Sequence, residues 1–170
     1  MKQGLSLQEM AGLVQYRGEA ARDYVVPVKN MEFNITEDGI QYFAGVKDHG
    51  GVGGDMTRHA MRQIATELSI PLKYADMLMN EDKKLLEYSL NERAHGHSGQ
   101  RMLRTVDDKL YGAVSPSFSR LYDNDLILKA LLPTIADTDF SVQSCDLNDT
   151  MMHLSLMKEY LSLRFQPGTI

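Results

Sequence analysis

The sequence lacks several features that would place it in a particular class of protein. It contains no tryptophan and only one cysteine, Cys145, among 170 residues. An intrachain disulfide is therefore excluded, and a reducing compartment is indicated. No apolar run approaches the ~18 residues that a membrane-spanning helix needs. The first ten residues also lack the apolar core of a signal peptide. We therefore expect a cytoplasmic protein with no membrane partner.

The chain also lacks the excess of positive charge that proteins coating nucleic acid carry. Its net charge is −5, and the segment from Asp123 to Thr150, with six aspartates and one lysine, accounts for all of it. Hydrophobic residues make up 43% of the chain and charged residues 24%, as is usual for a folded globular protein. Any binding of nucleic acid would therefore depend on a local basic patch.

Periodicity, capping residues and turn residues predict helices alternating with antiparallel strands. The predicted helices begin after Ser6, after Thr57 and at Pro71, and run over Asp82–Arg93 and about Asn124–Ile135. The predicted strands are Tyr24–Val28 (an edge strand, because of Pro27), Met31–Ile35, Ile40–Ala44, the hairpin over Arg101–Val114, Phe140–Leu147 and Met151–Met157. We expect one α+β domain over residues 1–170, with a sheet of antiparallel hairpins and packed helices.

Two segments in the first half of the chain can be interpreted either as purely structural or as binding sites. Gly50–Gly54 precedes a predicted helix, where free backbone N–H groups can hold phosphate, but it lacks the lysine of a P-loop. A flexible connector or a lid is therefore favoured. Gln63–Leu78 has the spacing of a helix-turn-helix. Its second helix offers few side chains that could read bases, which favours a simple packed helical hairpin.

Residues that could support catalysis are few. No serine, cysteine or lysine occurs in a recognisable nucleophile motif, and Cys145 alternates within a strand as a small core residue would. His95 and His97 lack the spacing of a metal site and indicate an exposed loop. An aspartate cluster could hold Mg²⁺ for phosphoryl chemistry, although turns are expected there. Its members are Asp137, Asp139, Asp146 and Asp149. The sequence leaves enzymatic activity open, favours a non-catalytic role and predicts no cofactor.

The segment from Arg101 to Asn124 combines cations with aromatic rings on a predicted hairpin. Residues two apart share one face of a strand, so cations and rings from adjoining strands could form a platform. Single-stranded nucleic acid is commonly bound in this way, with cations on the phosphates and rings stacked on the bases. The alternative is a solvated, salt-bridged face with part of its rings in the core. The candidate nucleic-acid-binding residues are Arg101, Arg104, Lys109, Tyr111, Phe118 and Arg120.

Two blocks and one short stretch carry a resemblance to a known family. The first block consists of His59-Ala60, Gln63, Ile70-Pro71 and Tyr74; the second of Arg104-Thr105, Ala113-Val114-Ser115 and Asp123-Asn124; the stretch is Asp23–Pro27. Together, over roughly Leu7 to Gly168, they resemble the phage- and plasmid-borne family of unknown function described as phage/plasmid-like protein. That family usually has an aspartate and a tyrosine where this chain has Pro116 and Phe118, and it continues beyond the Pro167-Gly168 turn.

The resemblance implies a mobile-element protein that acts on or near DNA in the host cytoplasm. It also implies a chain that is either a naturally shortened relative or an N-terminal portion of a longer family domain. We therefore expect a phage-type accessory protein that binds nucleic acid, either single-stranded or as replication or recombination intermediates, without catalysis. One alternative is a protein–protein interaction module that acts on a host or phage protein, for example through the acidic segment 123–150. Another is a metal-dependent nucleic-acid enzyme that uses the Asp137–Asp149 cluster.

A further expectation concerns the last predicted strand, Tyr160–Phe165. Leu161, Leu163 and Phe165 share one face of it, and Pro167-Gly168 follows as a turn. An unpaired edge there would recruit another chain. We therefore expect self-association or a protein partner through the C-terminal edge strand.

Overall fold

The computed structural model describes residues 4–46, 50–118, 124–138, 140–148 and 151–158. The chain divides into two compact units. Unit 1 comprises Met1–Gln15 with Leu121–Ile170, and unit 2 comprises Tyr16–Arg120. Both units combine helices with antiparallel strands, so the predicted α+β class is confirmed. The expectation that the whole chain folds as one domain stays a prediction.

The described residues form five α-helices, a short 3-10 helix (Val28–Asn30) and eight strands. The helices are α1 (Leu7–Ala20), α2 (Arg58–Glu67), α3 (Leu72–Glu81), α4 (Lys83–His95) and α5 (Asn124–Ala136). The strands are β1 (Ala21–Pro27), β2 (Met31–Ile35), β3 (Ile40–Ala44), β4 (Val52–Met56), β5 (Gln100–Val106), β6 (Lys109–Val114), β7 (Phe140–Leu147) and β8 (Met152–Lys158). In the part of the chain that is described, no helix has the length and apolar character needed to cross a membrane.

Unit 2 is built on a six-stranded sheet in the order β1-β5-β6-β4-β3-β2. Neighbouring strands are antiparallel except β4 and β6, which are parallel. Helices α2 and α4 pack on one face, which we call the inner face; the opposite face is the outer face. The core between helices and sheet includes Ile64, Leu86, Leu90, Leu103 and Leu110, all fully buried. The β5–β6 hairpin therefore lies in the middle of the sheet, with a neighbouring strand on each side.

Local side-chain chemistry begins and ends these elements. The Thr57 hydroxyl accepts a hydrogen bond from the Ala60 N–H at 3.1 Å, and Asp82 accepts one from the Leu85 N–H at 3.0 Å, as expected of helix N-caps. The β5–β6 hairpin turns at Asp107 and Asp108, both at positive φ of 51° and 61°. Two left-handed residues in succession give the turn that matches the twist of antiparallel strands.

The prediction of a flexible connector at Gly50–Gly54 is wrong for Val52–Gly54, because Val52–Met56 forms β4 inside the sheet. Its glycines are typical of a loop, but the strand needs them because neighbouring groups lie too close for a Cβ atom. A Cβ at Gly54 would lie 2.3 Å from the Asp108 carbonyl oxygen, and the residue has φ of +156°. Glycine therefore allows the β5–β6 turn to approach β4 closely.

The free edge of β2 is closed by side chains of α4. Asn91 accepts a hydrogen bond from the Phe33 N–H at 2.8 Å and donates one to the Phe33 carbonyl at 2.9 Å. One turn earlier, Glu87 accepts from the Ile35 N–H at 2.7 Å. These side chains replace the neighbouring strand that an edge would otherwise recruit. These hydrogen bonds thus satisfy backbone groups at the edge of β2 and hold α4 against the sheet.

Unit 1 consists of the first part of α1, α5 and the β7–β8 hairpin. Ser6 and Glu9 form the predicted capping box, with the Ser6 N–H donating to Glu9 Oε2 at 2.8 Å and the Glu9 N–H donating to Ser6 Oγ at 3.2 Å. A small core forms around Met10, Val14 and Leu128 together with Cys145, which is fully buried. Burial raises the pKa of the Cys145 thiol. The predicted strand Tyr160–Phe165 lies outside the described residues, so self-association through it stays a prediction.

Candidate nucleic-acid interface

The predicted platform residues on the hairpin do not share one face of the sheet. Arg101 and Arg104 are three residues apart in β5, so alternation points them to opposite faces. Val106 lies directly opposite Lys109 and two residues after Arg104, which puts Lys109 and Arg104 on the same face. Tyr111 lies at a bulge in the ladder, and its ring lies beside the Lys109 ammonium on that face. This is the outer face, because the adjacent Leu110 is buried in the core beneath the helices.

Arg101 lies on the inner face and pairs with the Glu67 carboxylate at the end of α2. The same carboxylate lies 3.4 Å from His97 Nε2. The Arg101 and Glu67 side chains are only 24% and 17% exposed. A phosphate would have to displace a carboxylate that already neutralises this guanidinium. Arg101 therefore links β5 to α2 rather than joining the other candidates.

Arg104 lies on the outer face in a bidentate ion pair with Asp23 of β1. Its Nε and Nη2 donate to the two carboxylate oxygens at 2.8 and 2.9 Å. The two residues lie directly opposite in the β1–β5 ladder. The guanidinium carbon of Arg104 also lies 5.3 Å from the centroid of the Phe118 ring. Two N–H bonds and a ring contact hold the guanidinium in one orientation beside an exposed aromatic side chain.

Two cations lie near the ring of Tyr111. The ammonium of Lys109 lies 5.9 Å from the ring centroid, and the guanidinium carbon of Arg17, from α1, lies 5.5 Å from it. Lys109 is exposed and Tyr111 is half-buried. The hairpin turn is tied to the same helix, because the Tyr16 hydroxyl donates to Asp107 Oδ2 at 2.7 Å. This hydrogen bond raises the pKa of Tyr16 above its ordinary value.

Four of the six predicted residues are thus brought together on the outer face, joined by Arg17, which sequence reasoning missed. We call this group the cation–ring cluster; it consists of Arg17, Arg104, Lys109, Tyr111 and Phe118. Arg101 is on the other face, and Arg120 lies outside the described residues. Arg17 belongs to a helix 94 positions before Tyr111 in the chain, so no local sequence pattern connects the two residues. The one signal that could have identified Arg17 is its position in the last turn of α1, which leads directly into β1.

The members of the aspartate cluster that the structure describes, Asp137 and Asp146, do not form a metal site. Asp137 follows α5, and Asp146 Oδ1 accepts a hydrogen bond from the Gly4 N–H at 3.3 Å. Asp139 and Asp149 lie outside the described part of the chain. Within that part, no three histidine, cysteine, aspartate or glutamate side chains are arranged to hold a metal ion. The metal-dependent alternative therefore stays a prediction.

Comparison with family models, with curated proteins and with solved structures gives no match to this chain. The resemblance to the phage/plasmid-like family therefore depends on its motif residues alone. Several of these residues have structural roles. Arg104 forms the ion pair with Asp23, and Gln63 Oε1 accepts a hydrogen bond from the Ala113 N–H at 2.7 Å.

Proposed function

We propose that this protein is a non-catalytic, phage-type accessory protein that binds single-stranded nucleic acid through the cation–ring cluster. The observation that carries the proposal is the group of three cations stacked against two rings on the outer face of the sheet. Cations beside rings suit a ligand that offers phosphates and flat bases together. Base stacking on an aromatic side chain contributes about 1–3 kcal/mol per base.

The cations of the cluster differ in how readily they could bind a phosphate. Arg104 already holds the carboxylate of Asp23, and so adds little net charge for a phosphate. Lys109 is exposed and sits over a ring, so its ammonium can turn from the ring face to a phosphate at small cost. A base can then take the face of Tyr111. Lys109 and Tyr111 are therefore the residues expected to contribute most to binding.

The test is a titration of fluorescently labelled single-stranded and double-stranded oligonucleotides, followed by anisotropy at several salt concentrations. Lys109→Gln should lower the slope of log affinity against log salt by about 0.7 on single strands, because one phosphate contact is lost. Tyr111→Leu should weaken binding at all salt concentrations while changing the slope little. Lys84→Gln, an equivalent change at an exposed position of α4, is the matched control. Binding that is unchanged in both cluster variants would overturn the proposal.

A protein-interaction role is the second candidate, and the character of α5 favours it. Leu128 packs in the core of unit 1 and Ile135 is also buried, while Leu126, Ile127 and Leu131 remain exposed. Exposed apolar side chains grouped on a helix often mark a surface that a protein partner covers. If oligonucleotides fail to bind, this role becomes the leading one. Leu131→Asp should then reduce the binding of an apolar dye without lowering stability, because that side chain is exposed.

A further inference from the structure

The outer face continues from the cation–ring cluster across β4, β3 and β2, where it carries one prominent ring. Phe43 of β3 is 51% exposed, more than any other aromatic side chain in the described strands. Its position follows from strand alternation, since Ile40, Tyr42 and Ala44 face the core and leave Phe43 on the outer face. An apolar ring in this position has no role in packing beneath the helices.

Gly51, just before β4, and Gly53 of β4 let the Phe43 ring lie flat. A Cβ at Gly51 would be 2.5 Å from ring atom Cζ, and one at Gly53 would be 3.3 Å from Cδ2. The ring therefore rests against bare backbone of β4 on one side and presents its other side to solvent. A flat ring supported from below is the arrangement on which a base stacks.

Among the described residues of β2, β3 and β4, the outer-face side chains next to Phe43 in the ladders are polar or acidic. Glu32 lies directly opposite Phe43 in the β2–β3 ladder, and Gln41 lies between Asn34 and Asp55 in the neighbouring ladders. All four are exposed, and Asn34 Nδ2 donates to Gln41 Oε1 at 3.4 Å. We call this group, with the ring, the Phe43 surface. Carboxylates repel phosphate but accept hydrogen bonds from the N–H groups of a base.

We propose that the Phe43 surface binds an unpaired guanine base of the single strand whose phosphates the cation–ring cluster binds, an inference that rests on the proposed function. Guanine presents two adjacent N–H donors, N1–H and the N2 amine, which a carboxylate accepts together. Stacking on Phe43 provides the contact, and Glu32 or Asp55 provides the preference for this base. The amides of Asn34 and Gln41 can donate to its acceptors, O6 and N7.

The two surfaces are close enough to share one strand. Met56 of β4 pairs with Leu110 of β6, so one residue earlier Asp55 lies beside Lys109 on the outer face. Strands β3 and β6 are separated only by β4, a distance of about 10 Å between them. A nucleotide with its phosphate near Lys109 can therefore direct its base, or that of a neighbouring nucleotide, toward Phe43. The acidic side chains then keep the phosphates on the basic side.

The test uses the absence of tryptophan from the chain. Phe43→Trp introduces a single fluorophore at the stacking position, and Tyr88→Trp, at a 62% exposed site on α4, is the control. Both are titrated with a twelve-nucleotide thymidine oligomer and with the same oligomer carrying one central guanine. The guanine should tighten binding roughly fivefold or more and should quench the tryptophan introduced at Phe43 but not the one at Tyr88.

A second variant separates the preference for guanine from general binding. Glu32→Gln with Asp55→Asn should abolish the preference between the two oligomers, while overall affinity rises because two negative charges near the phosphates are gone. If binding persists but guanine gives no preference, or the preference survives in this variant, the guanine assignment is overturned and the proposed function stands. If neither oligomer binds at low salt, the proposed function fails, and this inference fails with it.

Discussion

Asn91 offers the sharpest test of how the sheet that carries these surfaces is held together. Its side chain makes two hydrogen bonds to the backbone of Phe33, at 2.8 and 2.9 Å, in the place where a neighbouring strand would pair. Asn91→Ala removes both and leaves an N–H and a carbonyl of a part-buried strand without a partner. Each unsatisfied group costs about 1–3 kcal/mol, less where water reaches it. We therefore expect a loss of about 2–3 kcal/mol in the free energy of unfolding.

Urea unfolding followed by circular dichroism measures this loss, and Glu92→Ala, the next residue and exposed, is the matched control. Asn91→Asp keeps the acceptor and removes the donor, so it should lie between the wild type and Asn91→Ala. Amide exchange at Phe33 should quicken in Asn91→Ala, and the opened edge should promote self-association. If Asn91→Ala costs no more than Glu92→Ala and exchange at Phe33 is unchanged, the reasoning about the closed edge is refuted.

Three further predictions follow from single contacts. Arg101→Gln should lower stability, because it leaves Glu67 without its guanidinium, yet it should leave the salt dependence of oligonucleotide binding unchanged; a reduced slope would contradict the inner-face assignment. Gly54→Ala should cost more than about 2 kcal/mol in urea unfolding, because its Cβ would collide with the Asp108 carbonyl, and a cost near zero would show that β4 can shift freely. Burial raises the pKa of Tyr42 to about 12. The buried neutral phenol therefore stabilises the fold fully below pH 10, and this stabilisation is lost as the pH rises from 10 to about 12. Tyr42→Phe should flatten this fall in unfolding scans, and an unchanged profile would count against it.

The elements with strong local signals could be predicted from the sequence. Ser6 with Glu9, Thr57 and Asp82 each mark a helix start by a side chain that caps a backbone N–H, and the structure contains all three caps. Alternation in Met31–Ile35 and Ile40–Ala44 predicted their pairing. These signals depend on residues close together in the chain, which is why they can be recognised without the fold.

Strand β4 could not be predicted, because its reasons lie elsewhere in the chain. Gly53 and Gly54 are poor strand residues by themselves. They are needed because the Phe43 ring and the Asp108 carbonyl approach the β4 backbone. Phe43 comes from the preceding strand β3, and Asp108 lies 54 positions after Gly54 in the chain. A glycine that permits a close approach cannot be distinguished from a loop glycine until the approaching group is known.

The candidate site was predicted in part for a related reason. Lys109 and Tyr111 are two residues apart, so their shared face follows from sequence. The odd spacing of Arg101 and Arg104 already implied opposite faces, a consequence that the platform hypothesis did not draw. The carboxylates of Glu67 and Asp23 that neutralise these arginines come from α2 and β1, and only the fold brings them near.

The most direct measurement of the central claim compares oligonucleotide binding by the wild type, Lys109→Gln and Arg101→Gln across a range of salt concentrations. We expect salt-dependent binding of single strands, a slope lower by about 0.7 in Lys109→Gln, and an unchanged slope in Arg101→Gln. Equal slopes in all three proteins, or no binding of any single strand at low salt, would contradict the claim that the outer face of the sheet binds nucleic acid.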